Sequence, residues 1–248
     1  MYRFYIEQSQ IHDEYITIEG SDVNHIKNVL RMKIGEAMIL CDGQGMDYHC
    51  TIDSLSSDFI QAKIVRAEDT QTELHAKIYL FQGLPKKDKM ELIIQKAVEL
   101  GVYQVVPVMM KRSVVKLDDK KKEQKKLERW QSIATSAAKQ SGRGIIPEVV
   151  PVVSFKEAVK IAKEMDYKVL PFEHAEGMEE TKKIIKDVQG KKTVAVFIGP
   201  EGGFEDDEVA YAMESGIKPI TLGKRILRTE TAGLTILSVL MFELEGKE

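Results

Sequence analysis

The chain of 248 residues is poor in several things, and each shortage removes a class of function. It has two cysteines, Cys41 and Cys50, too few for a disulfide framework and too far apart for a CxxC metal clip. Its five histidines, His12, His25, His49, His75 and His174, are scattered, so no metal site is expected. No GxSxG elbow marks a triad hydrolase, and neither GxGxxG nor GxxxxGK[ST] marks a nucleotide-phosphate cradle. Long apolar runs are also missing. The longest, near Leu234 to Leu244, is shorter than the ~20 residues a spanning helix needs, and Met1 to Gln10 lacks the apolar stretch of a signal peptide. A reduced, cytoplasmic protein without a membrane segment is expected.

What is present is an ordinary globular composition, with 43% hydrophobic and 30% charged residues. The formal net charge of -3 hides an uneven distribution. Lys111 to Arg143 holds 11 Lys and Arg against 4 Asp and Glu, whereas Met1 to Thr72 holds 6 against 12. Such a basic island can attract phosphates through counterion release, although charge alone favours a solvated helix face.

The pattern along the chain divides in two, at residues 1–72 and 73–248. The first part shows short β-like stretches at Arg3 to Ile6, Tyr15 to Ile18, Ala37 to Cys41, Tyr48 to Ile52 and Phe59 to Val65. One helix interrupts them, with Ser21 or Asp22 as cap and Ile26, Val29 and Leu30 as its apolar stripe. A small β-barrel is expected. The second part alternates apolar strands with helices, the sign of an α/β fold with a mostly parallel sheet. Its strands are expected at Lys77 to Phe81, Gln104 to Val108, Lys168 to Leu170, Thr193 to Ile198 and Pro219 to Leu222. Helices are expected from Asp88 to Leu100, from Asp118 to Gln140, and from Thr231 to Leu244. The last is apolar all around its axis, which predicts burial in a core or against a second copy in a dimer.

Three segments depart from plain strand, turn and helix. Gly199-Pro200-Glu201-Gly202-Gly203-Phe204 allows close backbone approach, and the acids Glu205, Asp206 and Asp207 after it would repel a phosphate. Its spacing alone reads as a structural turn before a ligand loop. Leu222 to Ala232 sets Arg225, Arg228 and Glu230 at the carboxyl end of a strand, where α/β sheets bind ligands. The alternative there is that Thr229 or Thr231 caps the next helix. The third segment holds the only tryptophan, in Glu128-Arg129-Trp130, followed by Gln140-Ser141-Gly142-Arg143. Trp130 reads as a core anchor or as a base-stacking ring.

In this order and spacing the segments resemble the ribosomal RNA small-subunit methyltransferase E family of the SPOUT superfamily. Arg3-Phe4, the stretch Asn24 to Arg31, Asp42-Gly43, Leu84-Pro85-Lys86, Gln95 to Gly101 and Arg112 to Lys116 extend the resemblance over nearly the whole chain. Lys87 and Lys89 depart from it, since relatives commonly carry Gly and Arg there.

The resemblance implies a PUA-like RNA-binding domain at 1–72 and a trefoil-knotted methyltransferase domain at 73–248 that binds S-adenosyl-L-methionine and acts as a homodimer. The implied cofactor residues are Gly199, Glu201, Gly203, Leu222, Gly223, Ile226, Leu227 and Arg228. The implied reaction is methylation of N3 of a uridine in 16S ribosomal RNA, or in the small ribosomal subunit. Arg228 is expected to stabilise the uracil anion, and Glu230 or Glu201 to take the proton. RNA contacts are expected at Arg3, Lys27, Arg31, Arg112, Lys116, Arg129, Gln140 and Arg143. The alternatives are a related enzyme acting on transfer RNA or a ribose 2'-hydroxyl, and a non-catalytic RNA-binding or ribosome-assembly factor.

Overall fold

The computed structural model describes residues 1–115, 120–175 and 177–245. It divides into two compact units, Met1–Glu73 with Ala138–Ile146, and Leu74–Ala137 with Pro147–Glu248.

The first unit is a five-stranded sheet of β1 (Tyr2–Tyr5), β2 (Tyr15–Glu19), β3 (Ala37–Cys41), β4 (Met46–Leu55) and β5 (Phe59–Asp69). Its order is β1-β3-β4-β5-β2, antiparallel except for the parallel pair β1 and β3. Alternating residues such as Ile16 and Ile18, Met38 and Leu40, and Ile60 and Ala62 point into one core. The expected helix is irregular. It consists of α1 (Ser21–Asn24) and a π-helical turn, His25–Val29, closed by Leu30 N–H donating to His25 O at 2.9 Å. The extra residue in that turn rotates Val29 off the apolar face, so Val29 is 61% exposed while Ile26 is buried. Neither Ser21 nor Asp22 caps the helix. Gly20, at φ +72°, is the N-cap, because the chain must reverse there before the first turn.

The second unit is a parallel sheet of seven strands: β6 (Lys77–Gly83), β7 (Val102–Met109), β8 (Glu148–Val149), β9 (Val153–Ser154), β10 (Tyr167–Pro171), β11 (Thr193–Ile198) and β12 (Lys218–Ile220). The order is β12-β10-β11-β6-β7-β8, with β9 also pairing β7. The central strands β6 and β11 are nearly continuous apolar runs, as strands covered on both faces must be. On one face Phe81 stacks on Phe197 at 4.4 Å between ring centres, and Phe155 and Phe204 close around the pair.

The helices are α2 (Lys89–Glu99), α3 (Lys120–Ser141), α4 (Phe155–Ala162), α5 (Met178–Lys186), α6 (Asp206–Glu214) and α7 (Thr229–Leu244). The expected start of α3 at Asp118 lies outside the described residues, whereas Trp130 is buried, as the core reading requires. A reciprocal capping box fixes the start of α4, with Ser154 N–H donating to Glu157 and Glu157 N–H donating to Ser154 Oγ. On α7, Ile236, Leu237, Leu240 and Leu244 are buried, while Phe242 is 81% exposed. Within one chain the helix therefore has a wet apolar face. No helix among the described residues is long and apolar enough to cross a membrane.

Candidate functional site

The carboxyl ends of β10, β11 and β12 open onto one cavity of about 680 Å³, the end at which parallel sheets gather ligands. One wall is the segment after β11. Gly203 N–H donates to Pro200 O at 2.9 Å and forms a turn at φ +70°, which a side chain would strain. The chain also passes close to β6: a Cβ on Gly83 would lie 2.7 Å from Pro200. Arg112, itself part of the lining, holds the segment by donating to Gly202 O at 2.9 Å and gripping both carboxylate oxygens of Glu205 at 2.9 and 3.1 Å.

The other wall runs from Thr221 to Arg228. Gly223 sits at φ +107°, a conformation that side chains strain although a Cβ would meet no neighbour, and Ile226 is 87% exposed. Thr229 ties the walls together, because its hydroxyl accepts from Gln82 Nε2 at 2.9 Å and donates to Gly199 O at 2.6 Å. Neither threonine caps α7, contrary to the expectation for Thr229 or Thr231. The N-cap is Arg228, and the Thr229 hydroxyl is spent on the opposite wall. The Arg228 guanidinium is exposed and has no hydrogen-bond or ionic partner among the described residues.

A charged cluster completes the site. Lys89 Nζ lies 3.2 Å from Glu201 and 3.2 Å from Glu230. Both oxygens of Glu201 also accept from Lys86 N–H, at 3.1 and 3.2 Å. Burial pushes the Glu201 carboxyl up, but its own amide, the Lys86 amide and the Lys89 ammonium outweigh this and hold it below the usual carboxylate range. Those two carboxylates hold the Lys89 ammonium above its ordinary value.

The composition of the walls selects among ligands. Backbone amides and carbonyls of two glycine-bearing loops can read the edges of a purine. The acids Glu205 and Asp207 at the start of α6, expected to repel a phosphate, are paired with Arg112 and Lys111 and lie outside the lining, whose charged groups are Lys89, Arg112, Lys224, Arg225 and Arg228 against Glu173 and Glu201. A nucleoside fits such backbone walls, and the cavity is large enough for one.

Comparison with known proteins agrees. A family model described as RNA methyltransferase domain matches residues 72–241, and one described as RNA methyltransferase PUA domain matches residues 18–65. The chain is 38% identical to the ribosomal RNA small subunit methyltransferase E of Bacillus subtilis (strain 168), across 99% of this chain and 98% of that one. It belongs to the ribosomal RNA small subunit methyltransferase E family. The family member from Neisseria gonorrhoeae, solved bound to S-adenosyl methionine, superposes with a TM-score of 0.79 at 32% identity, covering 98% of this chain and 97% of that one. A methyltransferase from Legionella pneumophila, in complex with the cofactor SAM, gives a TM-score of 0.78 at 32% identity over 97% and 96% of the two chains.

Of the residues the family resemblance implies for the cofactor, Gly199, Glu201, Gly203, Leu222, Gly223, Ile226, Leu227 and Arg228 all line the cavity. Glu230 stands behind Lys89 and is not part of the lining. Lys89 and the stretch Pro171 to His174 also line it, and the sequence reading assigned them no role. The signal for Lys89 was a cation in the first turn of a helix, where the macrodipole opposes it unless acids stand opposite. The signal for Gln82 was one amide in an otherwise apolar strand.

The residues expected to bind RNA are placed differently from one another. In the first unit Arg3 forms a two-pronged pair with Asp47 at 2.9 and 2.7 Å, and the nearly buried Arg143 pairs with Glu73. Lys27 donates to Ser56 O, while Arg31, in a left-handed conformation at φ 55°, and Gln140 are exposed. In the second unit Arg112 clamps the glycine loop, and the exposed Arg129 pairs with Glu91. Lys116 lies outside the described residues.

Proposed function

We propose that this chain methylates N3 of a uridine in small-subunit (16S) ribosomal RNA in the cytoplasm, using S-adenosylmethionine, as a homodimer. The observation that carries this reading is the unpartnered Arg228 guanidinium on the rim of a cavity walled by two glycine-bearing loops, beside a Glu–Lys–Glu cluster. S-adenosylmethionine supplies, when bound, a methyl group already activated on a sulfonium sulfur. Gly199, Gly203, Leu222, Gly223 and Leu227 would hold it through backbone groups. What remains for the protein is to make N3 a nucleophile. N3 carries a proton on the pairing edge of the base, so the uridine must be unpaired or drawn from its stack. Arg228 then stabilises the negative charge that spreads over the uracil ring and its carbonyls as the proton leaves. Arginine cannot itself take that proton at neutral pH, which leaves it to the carboxylates Glu201 and Glu230.

RNA is gripped, on this reading, by the first unit and by the basic face of α3. Residues 24–34 contain Lys27, Arg31 and Lys33 and no carboxylate, in a unit that is otherwise acidic. The exposed Val29 and Ile34 stand among them and can pack on unstacked bases.

The test is single-turnover transfer of labelled methyl to small-subunit ribosomal RNA, with the product nucleoside identified by mass spectrometry. The expected product is 3-methyluridine. Arg228→Ala should lower the rate by about 100-fold, the usual loss for one anion-stabilising donor, at saturating cofactor. Label in transfer RNA or on a ribose hydroxyl would redirect the assignment. A protein that binds RNA but transfers nothing would make it an assembly factor.

A further inference from the structure

Two carboxylates converge on Lys89 from separate elements, Glu201 from the loop after β11 and Glu230 from the first turn of α7, while Lys89 itself opens α2. A cation at a helix start opposes the macrodipole, so this placement carries a cost that only the two acids offset. The partners differ in what else they do. Glu201 lines the cavity and is also held by Lys86 N–H. Glu230 lies behind, and Lys89 is its one ionic partner among the described residues. Its Oε2 is buried, and the Lys89 ammonium 3.2 Å away is the charged group that faces it. The three side chains together carry one net negative charge. One arriving proton would make them neutral, with no charge left unpaired.

We propose that Lys89 is a positioning residue that ties Glu201 and Glu230 into one proton-accepting unit at the wall of the cavity. This rests on the methyl transfer proposed above and names its base. The uracil N3–H bond breaks and its proton goes to the Glu201 carboxylate. The freed N3 electron pair takes the methyl carbon, and the pair from the broken carbon–sulfur bond stays on sulfur. As Glu201 becomes neutral, Lys89 passes wholly to Glu230, which keeps the ammonium charged and in place. Glu230 thus serves the reaction without touching the base.

Other charged groups surround this cluster. On α2 these are Asp88 and Glu91, the latter held by Arg129, and before it Lys86 and Lys87. Around the cavity they are Arg112, Glu173, His174, Lys224, Arg225 and Arg228.

The test pairs two measurements on the full-length protein. One is an isotope-edited infrared titration of the glutamate carboxyls without RNA, with Glu201 assigned by subtracting the Glu201→Gln spectrum. The other is the pH dependence of single-turnover methylation. Lys89→Met should move the Glu201 titration up by about 1 to 3 pH units, since it loses its counter-ion beside a second carboxylate. The acid limb of the rate profile should move with it. Glu230→Gln should move both down, because Lys89 is then shared with no other acid. Lys89→Arg should restore wild-type behaviour. The proposal is overturned if Lys89→Met leaves the carboxyl titration in place, or if Glu230→Gln shifts it in the same direction as Lys89→Met. Should Lys89→Met fail to fold, Glu230→Gln decides alone. If wild-type protein transfers no methyl group, the proposed activity falls, while the infrared titration still decides the role of Lys89.

Discussion

Arg112 shows how far a residue's chemistry can be read without its neighbours. Its position in a basic island made it a phosphate ligand on paper, yet its guanidinium is committed to Glu205 and to the Gly202 carbonyl. Charge counting sees the arginine and misses the acid 93 residues later that folding brings to it. The pair is exposed, so its direct contribution to stability is small. Its consequence lies in holding the glycine loop in shape. Arg112→Ala is therefore expected to weaken S-adenosylmethionine binding by roughly 3- to 10-fold in calorimetry, with little change in melting temperature and none in the salt dependence of RNA binding. Loss of RNA affinity with cofactor affinity intact would return Arg112 to the phosphate-contact reading. The lining glycines were easier to read, since a backbone that must turn at φ +70° or +107° leaves its mark in residue type alone.

At the scale of elements, legibility followed burial. The expected strands Ala37 to Cys41 and Thr193 to Ile198 match β3 and β11 at both ends, because alternation and continuous burial are strong local signals. Helices α4 and α5, at eight and nine residues, went unnamed, and strands of two residues such as β8 and β9 carry no periodicity at all. The segment Gln140 to Arg143 was read by its charge, but its placement is decided by backbone groups. Glu73 accepts from the amides of Gly144 and Ile145 as well as from Arg143, and Tyr5 donates to the carbonyls of Ala138 and Arg143. Burial pushes the Tyr5 hydroxyl up to about 12, so it remains a donor throughout the physiological range. With side-chain exposures of 5% and 16%, the Arg143–Glu73 pair has little water to fall back on. Arg143→Met should then destabilise the first unit by about 3 kcal/mol in urea unfolding, the cost of stranding a buried carboxylate. Unchanged stability with weakened RNA binding would show that Arg143 serves the RNA instead.

For the whole molecule the open question is what covers α7. Its sequence reads as apolar all round, but in the fold Ile236, Leu237 and Leu240 take the core side while Phe242 and Val239 face outward beside the exposed Thr231 and Ser238. Leaving a phenylalanine wet forgoes about 2 kcal/mol, and a face shared by two identical chains recovers that amount twice. A second copy is the occupant this argument favours, because α7 starts at Thr229 with Arg228 as its N-cap, so an interface along it would also brace the wall of the cavity. On this account Phe242→Lys removes about 4 kcal/mol across the two copies and raises the dimer dissociation constant by roughly a thousandfold, which sedimentation equilibrium would read directly. The same variant should lose methylation at low protein concentration and regain it as concentration rises, since the damage is to association and not to the site. A wild-type protein that sediments as a monomer at micromolar concentration, or a Phe242→Lys variant whose activity is independent of concentration, would leave α7 without this role.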